Sequence, residues 1–284
     1  MRKILIPTDF SDNAMNAIHY GVDLFKYEIS EFYFMHAYQD EIYADEHTLT
    51  RESLEETKKE VSKRSHEQLQ ALLINVKKYS PNPKHKHHII SSNSLLLDEA
   101  DKIVDEENID IVVMGTRGKT NDRNLTFGSH TLQVLKYVQC PVLAIPENYK
   151  YTQPRHILFP TNYMIPFKRR ELKLLCEMAA PYRAVIDMLY ISKTEKLSMR
   201  QEDNRDFVKE TLCKNTINFK VAKSKDILET VYKYIKENNI DMIVMVNTRH
   251  SFLENIIFQS TIDELSLNLN IPLLALQNMK RDEL

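Results

Sequence analysis

Glycine, cysteine and long apolar runs are all scarce in this sequence of 284 residues, which has four glycines, three cysteines and no tryptophan. The cysteines, Cys140, Cys176 and Cys213, are far apart and form no CxxC pair. This excludes a disulfide framework or a cysteine-rich zinc site and indicates a reducing compartment. No run approaches the ~18 apolar residues of a membrane helix, and the run after Met1 is too short for a signal peptide. We therefore expect a cytoplasmic protein with no membrane partner.

Neither sign of charge dominates, with 38 basic residues against 40 acidic ones and a net charge of −2. A nucleic-acid binder that depends on net positive charge is therefore not expected. The 43% hydrophobic content is that of an ordinary globular protein, and domains of roughly 100–200 residues predict two of them.

The sequence repeats itself once. Residues 3–10 resemble residues 156–163, which lie 153 positions later, and at the same offset residues 32–38 correspond to residues 185–191. We interpret the chain as two similar domains, at 1–149 and 150–284.

A second pair of segments shows that the copies differ in length. Residues 108–114 resemble residues 239–245, only 131 positions later. The second copy is thus 22 residues shorter, and we place the loss at a shorter second helix, around residues 197–212.

Short apolar runs alternate with helix-length amphipathic segments in each copy, which is the pattern of parallel strands buried on both faces. The predicted fold is α/β, with two tandem doubly wound domains, each a five-stranded parallel sheet with helices on both faces. In the first copy the strands are predicted at about residues 2–7, 31–37, 86–91, 110–115 and 141–145.

Three of the four glycines fall where the fourth strand passes through a loop into a helix. Gly115, Gly118 and Gly128, with Ser129, form the pattern G-x2-G-x9-G-S. Glycines allow a positive φ and a close approach to phosphate, and the following helix N-terminus attracts anions. The P-loop is excluded because Val113 stands where it needs glycine, and GxGxxG is absent. Arg117 and Lys119 either add positive charge for phosphate or are solvated loop residues.

This glycine motif, with Pro7-Thr8-Asp9 after the first strand and Met35-His36-Ala37 ending the second, resembles the universal stress protein A family. The resemblance extends over both copies. It implies the strand order 3-2-1-4-5 in each domain. It also implies an intrachain pairing of the fifth strands, residues 142–145 with 273–276, while a homodimer stays open.

In the family members that carry the glycine motif, the resemblance further implies bound ATP. Asp9 would contact the adenosine part and the backbone of Ala37 would face the adenine. Ribose and phosphates would be held by Gly115, Gly118, Gly128 and Ser129, and Thr8, Met114 and Arg117 complete the candidate site. An alternative for Asp9 is that it only caps the helix that starts near Asp12.

The second copy departs from this pattern, since its residues at the three glycine positions and at Asp9 are Asn247, His250, Gln259 and Asn162, and only Ser260 keeps its type. Side chains at glycine positions fill the space that phosphate needs. We expect the second copy not to bind ATP in the same way.

The leading hypothesis is a nucleotide-dependent stress-response binding or signalling module that binds ATP or a related adenine nucleotide, with or without Mg²⁺, and acts on an unidentified protein partner. No catalytic residue and no protein-held metal is predicted, since the sequence offers no evident base for a γ-phosphate and His85, His87 and His88 have no acidic or cysteine partner nearby. Hydrolysis is thus expected to be slow at most. The alternatives are a protein-interaction scaffold with a vestigial pocket and a true ATP-using enzyme.

Overall fold

The computed structural model describes residues 1–43, 51–118, 127–194, 196–212, 214–247 and 269–278, and these contain ten strands. The strands of the first half are β1 (Arg2–Pro7), β2 (Ser30–Ala37), β3 (His85–Ser92), β4 (Ile111–Gly115) and β5 (Val142–Ile145). Those of the second half are β6 (His156–Thr161), β7 (Val185–Ser192), β8 (Thr216–Lys223), β9 (Met242–Asn247) and β10 (Leu273–Gln277).

The strand order is β3-β2-β1-β4-β5-β10-β9-β6-β7-β8. Each half therefore has the order 3-2-1-4-5, with all of its strands parallel. The predicted α/β fold class is confirmed. Strands β1, β2 and β4 are almost completely buried on both faces, which explains why they are continuous apolar runs in the sequence.

The two five-stranded sheets join through their fifth strands into one sheet of ten. β5 and β10 run antiparallel, with Leu143 opposite Leu274 and Val142 opposite Ala275. All four of these side chains are buried. One hydrophobic cluster on each face of the sheet includes residues of both halves, so the core is continuous across the junction.

Helices cover both faces of the first half: α1 (Asp12–Leu24), α2 (Gln39–Tyr43), α3 (Arg51–Tyr79), α4 (Leu96–Glu106) and α5 (Ser129–Tyr137). In the second half they are α6 (Arg169–Ala179), α7 (Met199–Thr211) and α8 (Ile227–Glu237). The expected shortening lies in the second helix, since α7 has 13 residues and α3 has 29. The five-residue helix α2 was not predicted, because one turn and a half shows no apolar period. No helix in the described part of the chain is both long enough and apolar enough to cross a membrane.

The expected alignment of β2 with β7 is wrong by one residue. Ile4 of β1 pairs with Phe32, whereas its counterpart Ile157 of β6 pairs with Ile186. Phe32 therefore corresponds to Ile186 and not to Val185. Phe32 and Ile186 belong to the same core cluster, and a shift of one residue would have turned that side chain to the opposite face of the sheet.

Tyr182 of the second half links the two halves by hydrogen bonds. It follows α6 in a short 3-10 turn and donates to the carbonyl oxygens of Leu24 at 2.6 Å and of Asp23 at 3.1 Å, in the last turn of α1. Carbonyls at a helix C-terminus have no partner within the helix, so this hydroxyl satisfies two of them. Burial raises the pKa of Tyr182 well above its usual range, which keeps the donor protonated.

The three histidines of β3 do not converge on one point. His85 bonds to the carbonyl of Phe25 and His87 stacks on Phe32 and Phe34, whereas His88 stacks on Tyr33 on the other face. Burial lowers the pKa of His87 to about 4, and its Nε2 has no hydrogen-bond partner. His87 is therefore neutral in the folded protein at pH 7 and acts as an aromatic core residue.

We expect Tyr182→Phe to lower the free energy of unfolding by about 1–2 kcal/mol, because two buried carbonyls lose their donor. Urea unfolding of the full chain measures this. Tyr232→Phe is the matched control, since the Tyr232 side chain is 41% exposed. Equal effects of the two changes would contradict the assigned role of Tyr182.

We also expect His87 to make the fold acid-sensitive. Its pKa rises from about 4 in the folded protein to the ordinary 6.5 on unfolding, so the unfolded chain binds the extra proton and stability falls as the pH drops below 6.5. Between pH 7 and pH 5 this costs about 2 kcal/mol. Urea unfolding at both pH values should show a smaller loss for His87→Phe than for wild type. The same change at His156, which is exposed, should leave the loss unaltered.

Candidate functional site

A cleft of about 330 Å³ opens at the carboxyl ends of β1, β2 and β4 in the first half. In a doubly wound sheet this is where neighbouring crossovers diverge to opposite faces and leave room for a ligand. The nine candidate residues all line it: Thr8, Asp9, Ala37, Met114, Gly115, Arg117, Gly118, Gly128 and Ser129. Lys119 lies outside the described residues.

The turn after β1 is held by its own side chains. Thr8 Oγ1 accepts from the N–H of Phe10 at 3.0 Å, and Asp9 Oδ1 accepts from the N–H and the hydroxyl of Ser11 at 3.0 and 2.6 Å. Phe10 has a φ of 62°, an uncommon conformation for a bulky residue. The residue that caps α1 is Ser11, whose Oγ accepts from the N–H of Ala14. Asp9 does not cap the helix itself but fixes the residue that does, and it faces the cleft.

No glycine of the chain has a positive φ, so the glycine loop does not use this conformational freedom. Space is the constraint instead. A Cβ on Gly115 would lie 2.8 Å from Asn13 Nδ2, and a Cβ on Gly118 would lie 2.8 Å from Asp9 Oδ2. Gly128 is less restricted, because its nearest neighbour would be 3.5 Å away. Gly118 therefore lets the glycine loop approach the carboxylate of Asp9.

The first turn of α5 forms the opposite wall of the cleft, with Gly128, Ser129, His130 and Thr131 among the lining residues. Gly128 is the N-cap and offers no side chain to the first N–H groups of the helix. Two bonds hold this turn to the glycine loop: the N–H of Gly128 donates to the Thr116 carbonyl at 2.8 Å, and Thr131 Oγ1 donates to the Gly115 carbonyl at 2.9 Å. The positive end of the α5 dipole thus adjoins the cleft, which favours an anionic group there.

Arg117 is held by both its backbone and its side chain. Its carbonyl accepts from Asn13 Nδ2 at 2.7 Å, and its guanidinium lies 3.5 Å from the carboxylate of Glu147. Its charge is therefore balanced within the protein. The guanidinium is therefore less available to bind an anion than its position in the glycine motif suggested.

Acidic and imidazole groups surround the mouth of the cleft, and of these the sequence analysis missed Asp40, Glu41 and His130. His36 and Glu41 line the cleft, with His36 Nε2 3.2 Å from Glu41 Oε1. Asp40 on α2 lies 3.4 Å from His130 on α5, across the mouth. His36 was visible as the residue before Ala37, but Asp40 and Glu41 belong to α2, which no periodicity indicated.

His36 also connects the cleft to the interior. Its Nδ1 is 2.9 Å from Ser65 Oγ on α3, and Ser65 Oγ is 2.7 Å from Ser91 Oγ on β3. His36 and Ser65 are both buried, so these bonds satisfy polar groups that burial would otherwise penalise. The wall of the cleft at His36 is therefore fixed.

The corresponding turn of the second half keeps its conformation. Tyr163 has a φ of 54°, its N–H donates to Thr161 Oγ1, and Asn162 Oδ1 accepts from the N–H of Met164 at 2.9 Å. The cavity beside Asn162, however, is only about 20 Å³. From α7, Gln201 and Asn204 donate to the carbonyls of Asn162 and Tyr163 and close this turn against the helix.

The strand register corrects the expected alignment: Val246 pairs with Leu276 as Gly115 pairs with Ile145, so Gly115 corresponds to Val246 and not to Asn247. Asn247, the next residue, uses its side chain for contacts between the halves. Its Nδ2 donates to the Leu135 carbonyl of α5 at 2.7 Å and to Gln277 Oε1 at 2.8 Å. The other substituted positions, His250, Gln259 and Ser260, lie outside the described residues. Among the residues that the structure describes, no group of three or more His, Cys, Asp and Glu side chains is placed to hold a metal ion.

Comparison with known proteins identifies one family. The sequence model of the Universal stress protein family matches residues 1–146. Two curated universal stress proteins of Methanocaldococcus jannaschii are each 29% identical to the chain, over 152 and 144 residues. Each match covers 51% of this chain, and they cover 94% and 81% of the two relatives.

A solved structure resembles both halves together. A universal stress protein from Archaeoglobus fulgidus aligns over 97% of this chain and 96% of its own length, with a TM-score of 0.65 and 17% sequence identity. At that identity the likeness shows the shared fold.

We expect Asp9→Asn to change the free energy of unfolding by less than about 0.5 kcal/mol, because Asn162 makes the same turn in the second half. Asp9→Ala should cost about 1 kcal/mol through loss of the bonds to Ser11. Thermal or urea unfolding of both variants measures this. An Asn variant as unstable as the Ala variant would show that the charge, and not the turn geometry, matters for folding.

Proposed function

The chain belongs to the universal stress protein family, and from this premise we propose that its first half binds ATP and acts as a nucleotide-dependent stress-response binding or signalling module in the cytoplasm. The observation that carries the proposal is the pair of walls around one cleft. One wall is the carboxylate of Asp9 and the other is the glycine loop with the first turn of α5. A ligand with a polar neutral part and an anionic part fits between them.

The placement of the groups suggests how ATP would lie. The phosphates would be held by the N–H groups of the α5 first turn, by the Ser129 hydroxyl and by the backbone of Gly115 and Gly118. The adenosine would lie toward the ends of β1 and β2, with Asp9 at its hydroxyls and the Ala37 backbone at its base. Thr8 and Met114 line the cleft between these parts.

The carboxylates that line the cleft affect how the nucleotide would be oriented. Asp9 and Glu41 line the cleft on the side of β1 and β2 and would repel phosphates placed near them, whereas Asp40 lies 3.4 Å from His130 of α5. This charge distribution favours the orientation with phosphates at α5. A magnesium ion would come with the triphosphate, because the described residues supply no metal cluster of their own.

We propose one nucleotide per chain. The first half has a cleft of about 330 Å³ at Asp9, and the second has about 20 Å³ at Asn162. Val246 stands where the first half has Gly115, and the next residue, Asn247, is bonded to Leu135 and Gln277. The second half would serve in packing, in regulation or in contacts with a protein partner.

The proposal includes slow hydrolysis of the bound ATP. Two imidazoles line the cleft, and both have partners: the nitrogens of His36 are bonded to Ser65 and Glu41, and His130 lies 3.4 Å from Asp40. Hydrolysis well below ~1 s⁻¹ is therefore expected, which distinguishes a binding module from an ATP-using enzyme.

We expect Gly118→Ala to weaken ATP binding at least tenfold, because the added Cβ would lie 2.8 Å from the Asp9 carboxylate and displace it from the adenosine. Native mass spectrometry with Mg-ATP, supported by equilibrium dialysis, counts the nucleotides bound per chain. Wild type should bind one and the variant should bind less.

The matched control is Gly21→Ala in α1, where the new Cβ would lie 3.3 Å from Ile6 Cδ1 and 3.4 Å from Val113 Cγ1, away from the cleft. It should bind ATP as wild type does. Two ATP per wild-type chain would refute the asymmetry, and none at millimolar ATP would favour the scaffold alternative. Phosphate release above ~1 s⁻¹ would favour the enzyme.

A further inference from the structure

A second concave site lies beside α3, outside the ATP cleft. It is a groove of about 560 Å³ between this helix and the end of β3, open to solvent on one side. Four of its lining groups are basic or imidazole: Lys58, Lys59, Lys63 and His66. None of the described residues that line it is acidic. In a protein of net charge −2 such a one-signed concave surface is a distinct feature.

The helical period of α3 places basic residues together on the face that lines the groove. Lys59 and Lys63 are four residues apart and so lie on one face, with Ser62 and His66 on the same face. Two carboxylates that do not line the groove contact its lysines: Glu55 lies 2.9 Å from the ammonium of Lys58, and Glu67 lies 3.9 Å from that of Lys63. Lys59 makes no ion pair within the part of the chain that the structure describes. The lysine-rich face of α3 therefore brings three ammonium groups to the groove, two of which also contact a carboxylate.

The floor of the groove supplies neutral hydrogen-bonding groups. Ser62, Ser91 and Asn93 line it. Ser91 Oγ is bonded at 2.7 Å to Ser65, which is 1% exposed and fixed in turn by His36. Side-chain hydroxyls and amides that are held in place can donate to the oxygens of an anion without a large ordering cost.

We propose that this groove binds a small anion that carries one or two phosphate groups, at a site separate from the nucleotide cleft. Ammonium groups act as point charges for phosphate oxygens, and charge-assisted hydrogen bonds of this kind are the strong ones. The volume lies in the usual range for small-ligand sites. No described residue lines both the groove and the cleft. The buried His36–Ser65 pair lies between them, and its hydrogen bonds connect the wall of the cleft at His36 to the floor of the groove at Ser91.

The test is an NMR titration of the full chain with inorganic pyrophosphate. We expect saturable shifts of backbone amides at residues 59–66 and 91–93. Lys59→Ala/Lys63→Ala should weaken binding roughly tenfold, and raising the salt concentration should weaken it further. The matched control is Lys77→Ala/Lys78→Ala, two exposed lysines in the last turn of the same helix, which lie outside the groove. It should bind as wild type does.

The two sites are distinguished by position and by variant. Gly118→Ala should leave the shifts at 59–66 unchanged, whether or not ATP binds in the first half. Shifts confined to residues 115–118 and 128–131 would show that pyrophosphate uses only the cleft and would overturn the proposal. So would equal affinities of the two lysine double variants, or the absence of saturation at millimolar pyrophosphate.

Discussion

The position of β1 between β2 and β4 is the constraint on which the candidate site depends. Because both neighbours are parallel to β1, the chain must cross over one face to reach β2 and over the other to reach β4, and the connections part at the carboxyl end of β1. Asp9 stands at that point, and the glycine loop after β4 approaches it. The close distance between Gly118 and Asp9 follows from this pairing and leaves no room for a Cβ.

Much of the fold could be predicted from the sequence, because buried parallel strands have a strong pattern and the internal repeat shows it twice. The bounds of β1 at Arg2–Pro7 agree with the prediction, and those of β2 and β3 differ by one residue at the ends. The one-residue shift between β2 and β7 could not be predicted, since it depends on strand register and not on residue type. The sequence also could not show why glycine stands at positions 115 and 118. A Cβ there would come too close to Asn13 and Asp9, and neither glycine has a positive φ. The ion pair of Arg117 with Glu147 joins residues 30 apart in the chain, and no local motif indicates it.

The comparison of the two halves separates what the fold requires from what a ligand would require. Both keep the turn after the first strand, with a threonine, an Asp or Asn side chain and an aromatic residue at positive φ. That turn persists even where the adjoining cavity is nearly filled, so it belongs to the architecture. Gly115 does not persist, since Val246 stands at its position, and the side chain of the next residue, Asn247, is bonded to the first half. The second half has thus exchanged open space for internal contacts while its strand order stayed the same.

The antiparallel junction of β5 with β10 gives the molecule two opposite rims. Every strand of the first half ends at one rim of the ten-stranded sheet, and every strand of the second half ends at the other. The cleft at Asp9 and the corresponding turn at Asn162 therefore face away from each other. Ligand exchange at one rim leaves the opposite rim unobstructed, and whatever the second half touches can stay in place meanwhile. The contacts that join the two rims are the buried β5–β10 pairing and the hydrogen bonds of Tyr182 and Asn247 to the first half.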